Sequence, residues 1–312
     1  MTSKPLSILI DHLFRQTLPD EVCRLFHGRG RCFPGLEHVT VDWLQGQILV
    51  SLFKEHEPTW VETLKSELQT LMTAQTWADQ VSAVILQHRY ISGAPIDVVY
   101  GALSAMPVVN EQGLKFGLSV GANQNMGLFL DMRLGRQWVK SQAKDKRILN
   151  LFSYTCGFSV AALTGGADHV VNLDMSKAAL KQGKANHKLN GHDLTKVTFL
   201  GHELFKSWGK VKKLGPYDLI IIDPPSFQKG SFALTKDYQR ILRRLEELLT
   251  ERGTVLACVN SPQVSAQFLI DEMAREAPQM QFDARLPNPP EFPDIDEDSN
   301  LKCLVFNKET LN

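Results

Sequence analysis

The stretch Ile148 to Gly157, ILNLFSYTCG, limits what this chain can fold into more than any other. An apolar run of Ile148, Leu149, Leu151 and Phe152 stops at the cluster Ser153, Tyr154, Thr155, Cys156 and Gly157, and an alanine-rich helical segment, Phe158 to Leu163, follows. That pattern predicts strand, tight turn and helix. Such a turn sets backbone N–H groups and a helix N-terminus at the carboxyl end of a strand, where open α/β sheets bind ligands.

Two further strand ends carry the same signal. Asp174 closes the apolar run HVVNLD at the distance past Gly157 where a nucleotide-binding unit holds a ribose with a carboxylate. Asp223-Pro224-Pro225-Ser226-Phe227 directly follows the apolar strand Tyr217 to Ile222. Together they describe one pocket made of a turn, a ribose anchor and a rigid corner.

Strands and helices alternate around these motifs. Ile148–Phe152, Val170–Asp174, Val197–Leu200, Tyr217–Ile222 and Thr254–Val259 read as strands, with helical period over Ser176–Leu189, Ala233–Thr250 and Val264–Ala277. Alternation of this kind predicts an α/β fold with a doubly wound, mostly parallel sheet. The last two strands, Met280–Ala284 and Leu301–Asn307, lack a helix between them and should be antiparallel at one edge, joined by the acidic, Pro-rich loop NPPEFPDIDED. A hairpin, VV-NEQG-LKFGLSV, leads into NQNMGLFLDMR at 123–133. The expected division is a smaller N-terminal α/β domain over 1–104, with a possible RNA-positioning role, and a main domain over 105–312. In the first, Ile8–Gln16 and Trp60–Met72 read as helices, a hairpin spans HVTVDWL and QILVSLF, and Ser82–Gln87 reads as a strand. Its basic loop HGRGRCFPG offers Arg29 and Arg31 to a phosphate, or serves only as a turn.

No stretch approaches about 20 apolar residues and no leader pattern precedes the first helix, so a soluble, cytoplasmic protein is expected. The five scattered cysteines show no metal-ligand spacing, so neither a zinc site nor a disulfide framework is expected. Net charge is zero, but it divides as −3 over 1–105, +9 over 106–252 and −6 over 253–312. The surplus lies with the three pocket motifs, as a polyanionic substrate would require. The segment after Asp174 adds Lys177, Lys181, Lys184 and Lys188 on one helical face, which reads first as a solvated side and only second as a backbone track for RNA.

A dinucleotide site would want GxGxxG after the first strand, because a pyrophosphate must approach bare backbone. SYTCG has one glycine, which suits a ligand with an adenosine and no diphosphate, and S-adenosylmethionine (SAM) is the common one. The Asp-Pro-Pro corner holds Asp223 and Pro224 extended, so that a carboxylate and rigid carbonyls can receive N–H donors from a planar base or amide.

Ile148–Gly157, Asp174, HELF at 202–205 and DPPSF, in this order, resemble the successive motifs of the class I SAM-dependent methyltransferases. More narrowly, NQNMGLFLDMR followed by LNLFSYTCGFSVAA and DPPSF resembles the bacterial 23S rRNA base methyltransferases of the cytosine-5 and guanine-N7 types and their uncharacterised relatives. The likeness covers about Met106 to Asn260 and fades before it. It implies a seven-stranded Rossmann-like methyltransferase sheet, SAM as cofactor, and RNA, with 23S rRNA favoured, as partner; a homodimer is left open. It also implies that Asp174 holds the ribose hydroxyls, that Met175 packs on the adenine, and that Glu203, with Leu204, stands near the adenine amino group. Asn150, Phe152, Ser153, Tyr154 and Gly157 would complete the cofactor wall, and Phe129 and Arg133 would serve the methionine end. Asp223, Pro224, Pro225 and Asn260 would form the catalytic face. Cytosine-5 chemistry in this family needs a thiolate after the fifth strand, where TVLACVNSPQ has Asn260, with Cys258 two residues earlier inside the strand. A nitrogen target needs none. A methyltransferase acting on a protein or small molecule, and an RNA-binding assembly factor that keeps a SAM pocket, remain as alternatives.

Overall fold

In the computed structural model, residues 4–225, 227, 228 and 232–309 are described, and the chain divides into two compact units. The first comprises residues up to Leu130 together with Pro290–Asp296. It opens with α1 (Lys4–Phe14) and holds five strands, β1 (Cys23–His27), β2 (Val39–Trp43), β3 (Gln47–Leu52), β4 (Ala83–His88) and β5 (Ile96–Gly101), in the order in which they occur. β2 and β3 form the expected hairpin, with left-handed Gln45 and Gly46 at its turn. α2 (Pro58–Leu71) and the short α3 (Gln75–Ala78) carry the chain over to β4, which lies parallel to β3. Leu6, Leu9 and Leu13 of α1 and Leu64 and Leu68 of α2 bury themselves with Phe26, Val41 and Ile48 of the sheet. The hydrophobic periods of both helices thereby find their partner.

Two parts of this unit depart from the expectation. The boundary lies after Leu130 and not at 104, because the hairpin β6 (Val108–Glu111) and β7 (Leu114–Gly117) belongs with the small sheet. Val22 N donates to Asn110 O at 2.9 Å, and Gln45 Oε1 accepts from Asn110 N. The segment 290–296, expected in the second domain, also belongs here: Ile295 N donates to Gly30 O at 3.0 Å, Arg31 pairs with Asp294 at 2.9 Å, and the Arg24 guanidinium lies 4.7 Å from the centre of the Phe292 ring. Gly30 is required there, since a Cβ would fall 1.7 Å from the Pro293 carbonyl oxygen. Of the two loop arginines, Arg31 is thus tied within the protein, and Arg29 covers the Phe53 ring at 4.2 Å.

The second unit runs from Asp131 to Pro289 and from Glu297 onward. After α4 (Arg133–Gln142) come β8 (Arg147–Leu151), α5 (Gly157–Thr164), β9 (His169–Asp174), α6 (Lys177–Leu189), β10 (Val197–Gly201), α7 (Trp208–Leu214) and β11 (Tyr217–Ile222). A two-strand ribbon of β12 (Phe227–Gln228) and β13 (Phe232–Ala233) leads to α8 (Leu234–Leu242) and α9 (Leu245–Leu248). The unit ends with β14 (Leu249–Val259), α10 (Ala266–Glu276), β15 (Met280–Leu286) and β16 (Lys302–Lys308). The helix read over 233–250 is therefore two helices, and its last residues open β14. The seven strands lie in the order β10-β9-β8-β11-β14-β16-β15 and run parallel except for β16, which is antiparallel to both of its neighbours, β14 and β15; the antiparallel pairing of the last two strands at one edge is as the pattern predicted. Leu149, Val171, Ile220, Val255 and Leu304 fill one face with Tyr238, Ile241 and Leu269, while Ile148, Leu219, Ile221 and Leu256 meet Val139, Phe158 and Ala162 on the other. Among the described residues no helix is long and apolar enough to cross a membrane, and no cluster of side chains is suited to a metal ion.

Candidate active site

Register brings the motifs of the second unit to one edge of its sheet. Gly201 pairs with Asp174, Leu151 with both Leu173 and Ile222, and Ile222 with Ala257. The residues that follow, Glu203, Met175, Phe152–Gly157, Asp223–Pro225 and Asn260, therefore leave the carboxyl ends of five neighbouring parallel strands. The strand order reverses between β8 and β11, where open α/β sheets bind ligands.

The turn after β8 has three non-glycine residues in the left-handed region, Phe152, Tyr154 and Cys156, at φ 56°, 46° and 62°. Such backbone persists only where neighbours hold it. Ser153 N donates to Leu173 O at 3.1 Å and Tyr154 N to Asp174 Oδ2 at 2.8 Å, while Asn186 Nδ2 donates to Thr155 O at 3.0 Å. Cys156 is buried, and its thiol is pushed far above the usual range, chiefly by desolvation, so it is a packing residue. α6 presses on it so closely that a Cβ on Gly183 would lie 2.3 Å from its Sγ.

Asp174 is held from both sides, since its Oδ1 also accepts from Ser176 N at 2.7 Å. Each oxygen keeps a lone pair for a vicinal diol. Met175 beside it is 47% exposed, an apolar surface at a strand end that a planar base would cover. Glu203 Oε1 accepts from Phe205 N at 2.7 Å, capping the turn after β10. These groups fit an adenosine. Two expected members do not join them as drawn. The Asn150 carboxamide is buried within the sheet layer, where its Nδ2 donates to Asn172 Oδ1 at 2.9 Å, because its position on β8 points it toward α5. The Leu204 side chain is part of the core, which leaves only its backbone for the pocket. Phe129 belongs to the first unit and is 42% exposed.

On the other side of the turn, Asp223 leaves β11 with Pro224 buried and Pro225 exposed behind it. Desolvation raises its carboxyl to about 7; the charge of Asp131 adds to the rise and Arg136 opposes it. Neither of those two stands out in the sequence. Asp131 lies one turn before α4, and Asn260 Nδ2 donates to it at 3.4 Å. Arg136 lies three residues past Arg133 and is buried, a spacing that could have flagged it. Arg133, half-buried, occupies the first position of α4. Behind the corner, the buried Tyr238 hydroxyl lies 3.4 Å from Ile222 O and 3.2 Å from Cys258 O, between the ends of β11 and β14. The Lys302 ammonium, also buried, donates to Ser261 O at 2.7 Å and Asp298 O at 2.6 Å and so fixes the loop that carries Asn260. Cys258 faces away into the core, its Sγ 3.6 Å from that of Cys303. Ser226, which separates Pro225 from Phe227 in the motif, lies outside the described residues.

A family model described as S-adenosylmethionine-dependent methyltransferase matches residues 23–307. The chain belongs to that family. Within it, the chain is 31% identical over 237 residues to ribosomal RNA large subunit methyltransferase I of Enterobacter sp. (strain 638), covering 75% of this chain and 59% of that protein. It is 37% identical over 164 residues to the protein of the same name from Aeromonas salmonicida (strain A449), covering 51% and 41%. The methyltransferase chain thus spans well under two thirds of the length of these curated relatives. Among solved structures, SMU.776 in complex with SAH superposes at TM-score 0.83 with 24% identity, over 98% of this chain and 83% of that one. Trm5b from Pyrococcus abyssi follows at 0.63 and 15%, over 89% and 76%. Both share the fold of this methyltransferase. SAM supplies an electrophilic methyl group when bound; Asp174, Met175, Glu203 and the turn after β8 are the residues suited to its adenosine.

Proposed function

We propose that this methyltransferase modifies a base of ribosomal RNA, 23S rRNA being the favoured molecule, at a nitrogen atom. The relatives named as rRNA large subunit methyltransferases support the substrate class. The observation that carries the choice of atom is the end of β14: Asn260 stands where a thiolate would be needed, and the thiol of Cys258 is buried against Cys303 and held well above its ordinary range, first by that neighbour and then by desolvation. Attack through cytosine C5 requires a thiolate to add first, and none is offered. A flipped base held against Asp223 and Pro224 presents its lone pair without a covalent step. With a carboxyl near 7, Asp223 can accept a proton from a nitrogen that bears one as the N–CH₃ bond forms.

Incubation with labelled SAM and rRNA from a strain lacking the gene, followed by digestion to nucleosides and mass spectrometry, tests this reading. Label in an N-methylated nucleoside is expected. Label in 5-methylcytidine, or in protein alone, overturns it.

A further inference from the structure

One stretch of the second unit is charged in a way that its own stability does not call for. Residues 175–214 contain nine lysines and two acidic residues, and both acids cap turns: Asp193 accepts from Thr195 N at 2.9 Å and Glu203 from Phe205 N at 2.7 Å. α6 contains no acid at all. Its Lys177, Lys181, Lys184 and Lys188 are all exposed and follow one another at four, three and four residues, so each faces a like charge one turn away. Lys177 also stands at the first position of the helix, where the macrodipole disfavours a cation.

Around α8, α9 and α10 the arginines are compensated. Arg240 pairs with Asp237, Arg243 with Glu276, Arg244 with Glu247 and Arg275 with Glu272. No ion pair is made by the four lysines of α6 among the described residues. The stem of Lys177 lies over the end of β10, its Cγ 3.1 Å from where a Cβ on Gly201 would be, so the face begins against the edge strand of the sheet. A face that is self-repelling in the free protein is relieved by a polyanion, and lysine point charges suit phosphates read without regard to sequence.

We infer that the exposed lysine face of α6 is a docking surface for the phosphate backbone of the substrate RNA. The inference rests on the RNA reading above. α6 begins three residues past Asp174, and the four lysines span about 16 Å at 1.5 Å per residue. Strand docked there approaches from the adenosine side of the site.

The test measures binding of an rRNA fragment against salt concentration for the full chain and for a variant with Lys177→Gln, Lys181→Gln, Lys184→Gln and Lys188→Gln. A control carries the same charge change at Lys54→Gln, Lys115→Gln, Lys140→Gln and Lys144→Gln. The α6 variant is expected to bind about tenfold more weakly or worse, and its slope of log K against log salt to fall by roughly 0.7 for each phosphate that is no longer neutralised. SAM affinity and the control should match the unmodified protein. Equal RNA affinity and slope in the α6 variant, or an equal loss in the control, overturns the docking surface alone. An unmodified protein that binds no rRNA overturns the underlying reading, and this inference with it.

Discussion

The Nδ1 atoms of His187 and His192 lie 2.9 Å apart, so one ring must donate and the other accept. The donor is His187. Thr164 Oγ1 gives its proton to Val160 O at 3.0 Å and must therefore accept from His192 Nε2, which leaves His192 Nδ1 as acceptor. His187 then donates from Nδ1 and accepts at Nε2 from Ser159, which in turn accepts from Asn172. The chain runs one way from Asn150 to Val160 and holds both rings neutral.

Acid should break that arrangement. Burial, and secondarily His192, lowers His187 from 6.5 to about 3, and burial lowers His192 in the same direction. Below about 6.5 the unfolded chain takes up a proton that folded His187 refuses, so its contribution is present above that pH and is lost as pH falls toward 3, at up to ~1.4 kcal/mol per unit. Between pH 7.5 and 5 this amounts to about 2 kcal/mol. Urea midpoints of the unmodified protein and of His187→Gln should converge as pH drops; parallel curves would show that His187 carries no linkage.

Asp174→Ala is expected to weaken SAM binding by roughly 1–3 kcal/mol, the range for charged hydrogen bonds to a diol. The same change frees Tyr154 N and Ser176 N, so the turn after β8 loosens as well. Asp174→Asn keeps an acceptor for one of them. Calorimetry that finds full affinity in a folded Asp174→Ala protein removes the ribose assignment.

Asp223 should govern turnover and its pH dependence. If its carboxylate accepts the base, activity rises with pH through about 7, and Asp223→Asn loses both the rate and that limb while SAM affinity stays. Lost SAM affinity in the variant would place Asp223 with the cofactor residues instead.

Cys258→Ser should retain most activity, since the thiol faces Cys303 in the core. Asn260→Ala should lower activity by releasing the hydrogen bond to Asp131. A covalent adduct on 5-fluorocytosine RNA that disappears in Cys258→Ser would reverse the choice of atom.

Gly183→Ala tests how tightly α6 seats on the turn. A Cβ 2.3 Å from Cys156 Sγ and 2.9 Å from Cys156 Cβ forces the helix outward, a cost of about 1–3 kcal/mol for overpacking despite the better helix former. In a Cys156→Gly background most of that cost should vanish, as a double-mutant cycle of melting temperatures would register.

The strand ends are readable in the sequence because each is written locally, as an apolar run stopped by a turn or a carboxylate. Asp174, Asp223 and the edge pair β15 and β16 fall where those runs end. Asn150 is misplaced by a sequence reading because strand alternation fixes a side chain's face only once the register with β9 is known. Asp131 leaves no local signal and Arg136 only its spacing from Arg133, because their effect on Asp223 acts across the fold. The break between α8 and α9 is hidden by a continuous helical period across Arg243 and Arg244.

Pro290–Asp296 also sets the order in which the molecule can be completed. The first unit needs Asp294 for Arg31 and Ile295 for Gly30, yet those residues emerge from the ribosome after almost the whole second unit. A nascent chain halted after Leu130 has every strand of the small sheet and still lacks its closing piece. A fragment that stops at Leu130 should accordingly be a poor mimic of the first unit, and one with residues 290–296 fused after Leu130 is the shorter route to an autonomous first unit.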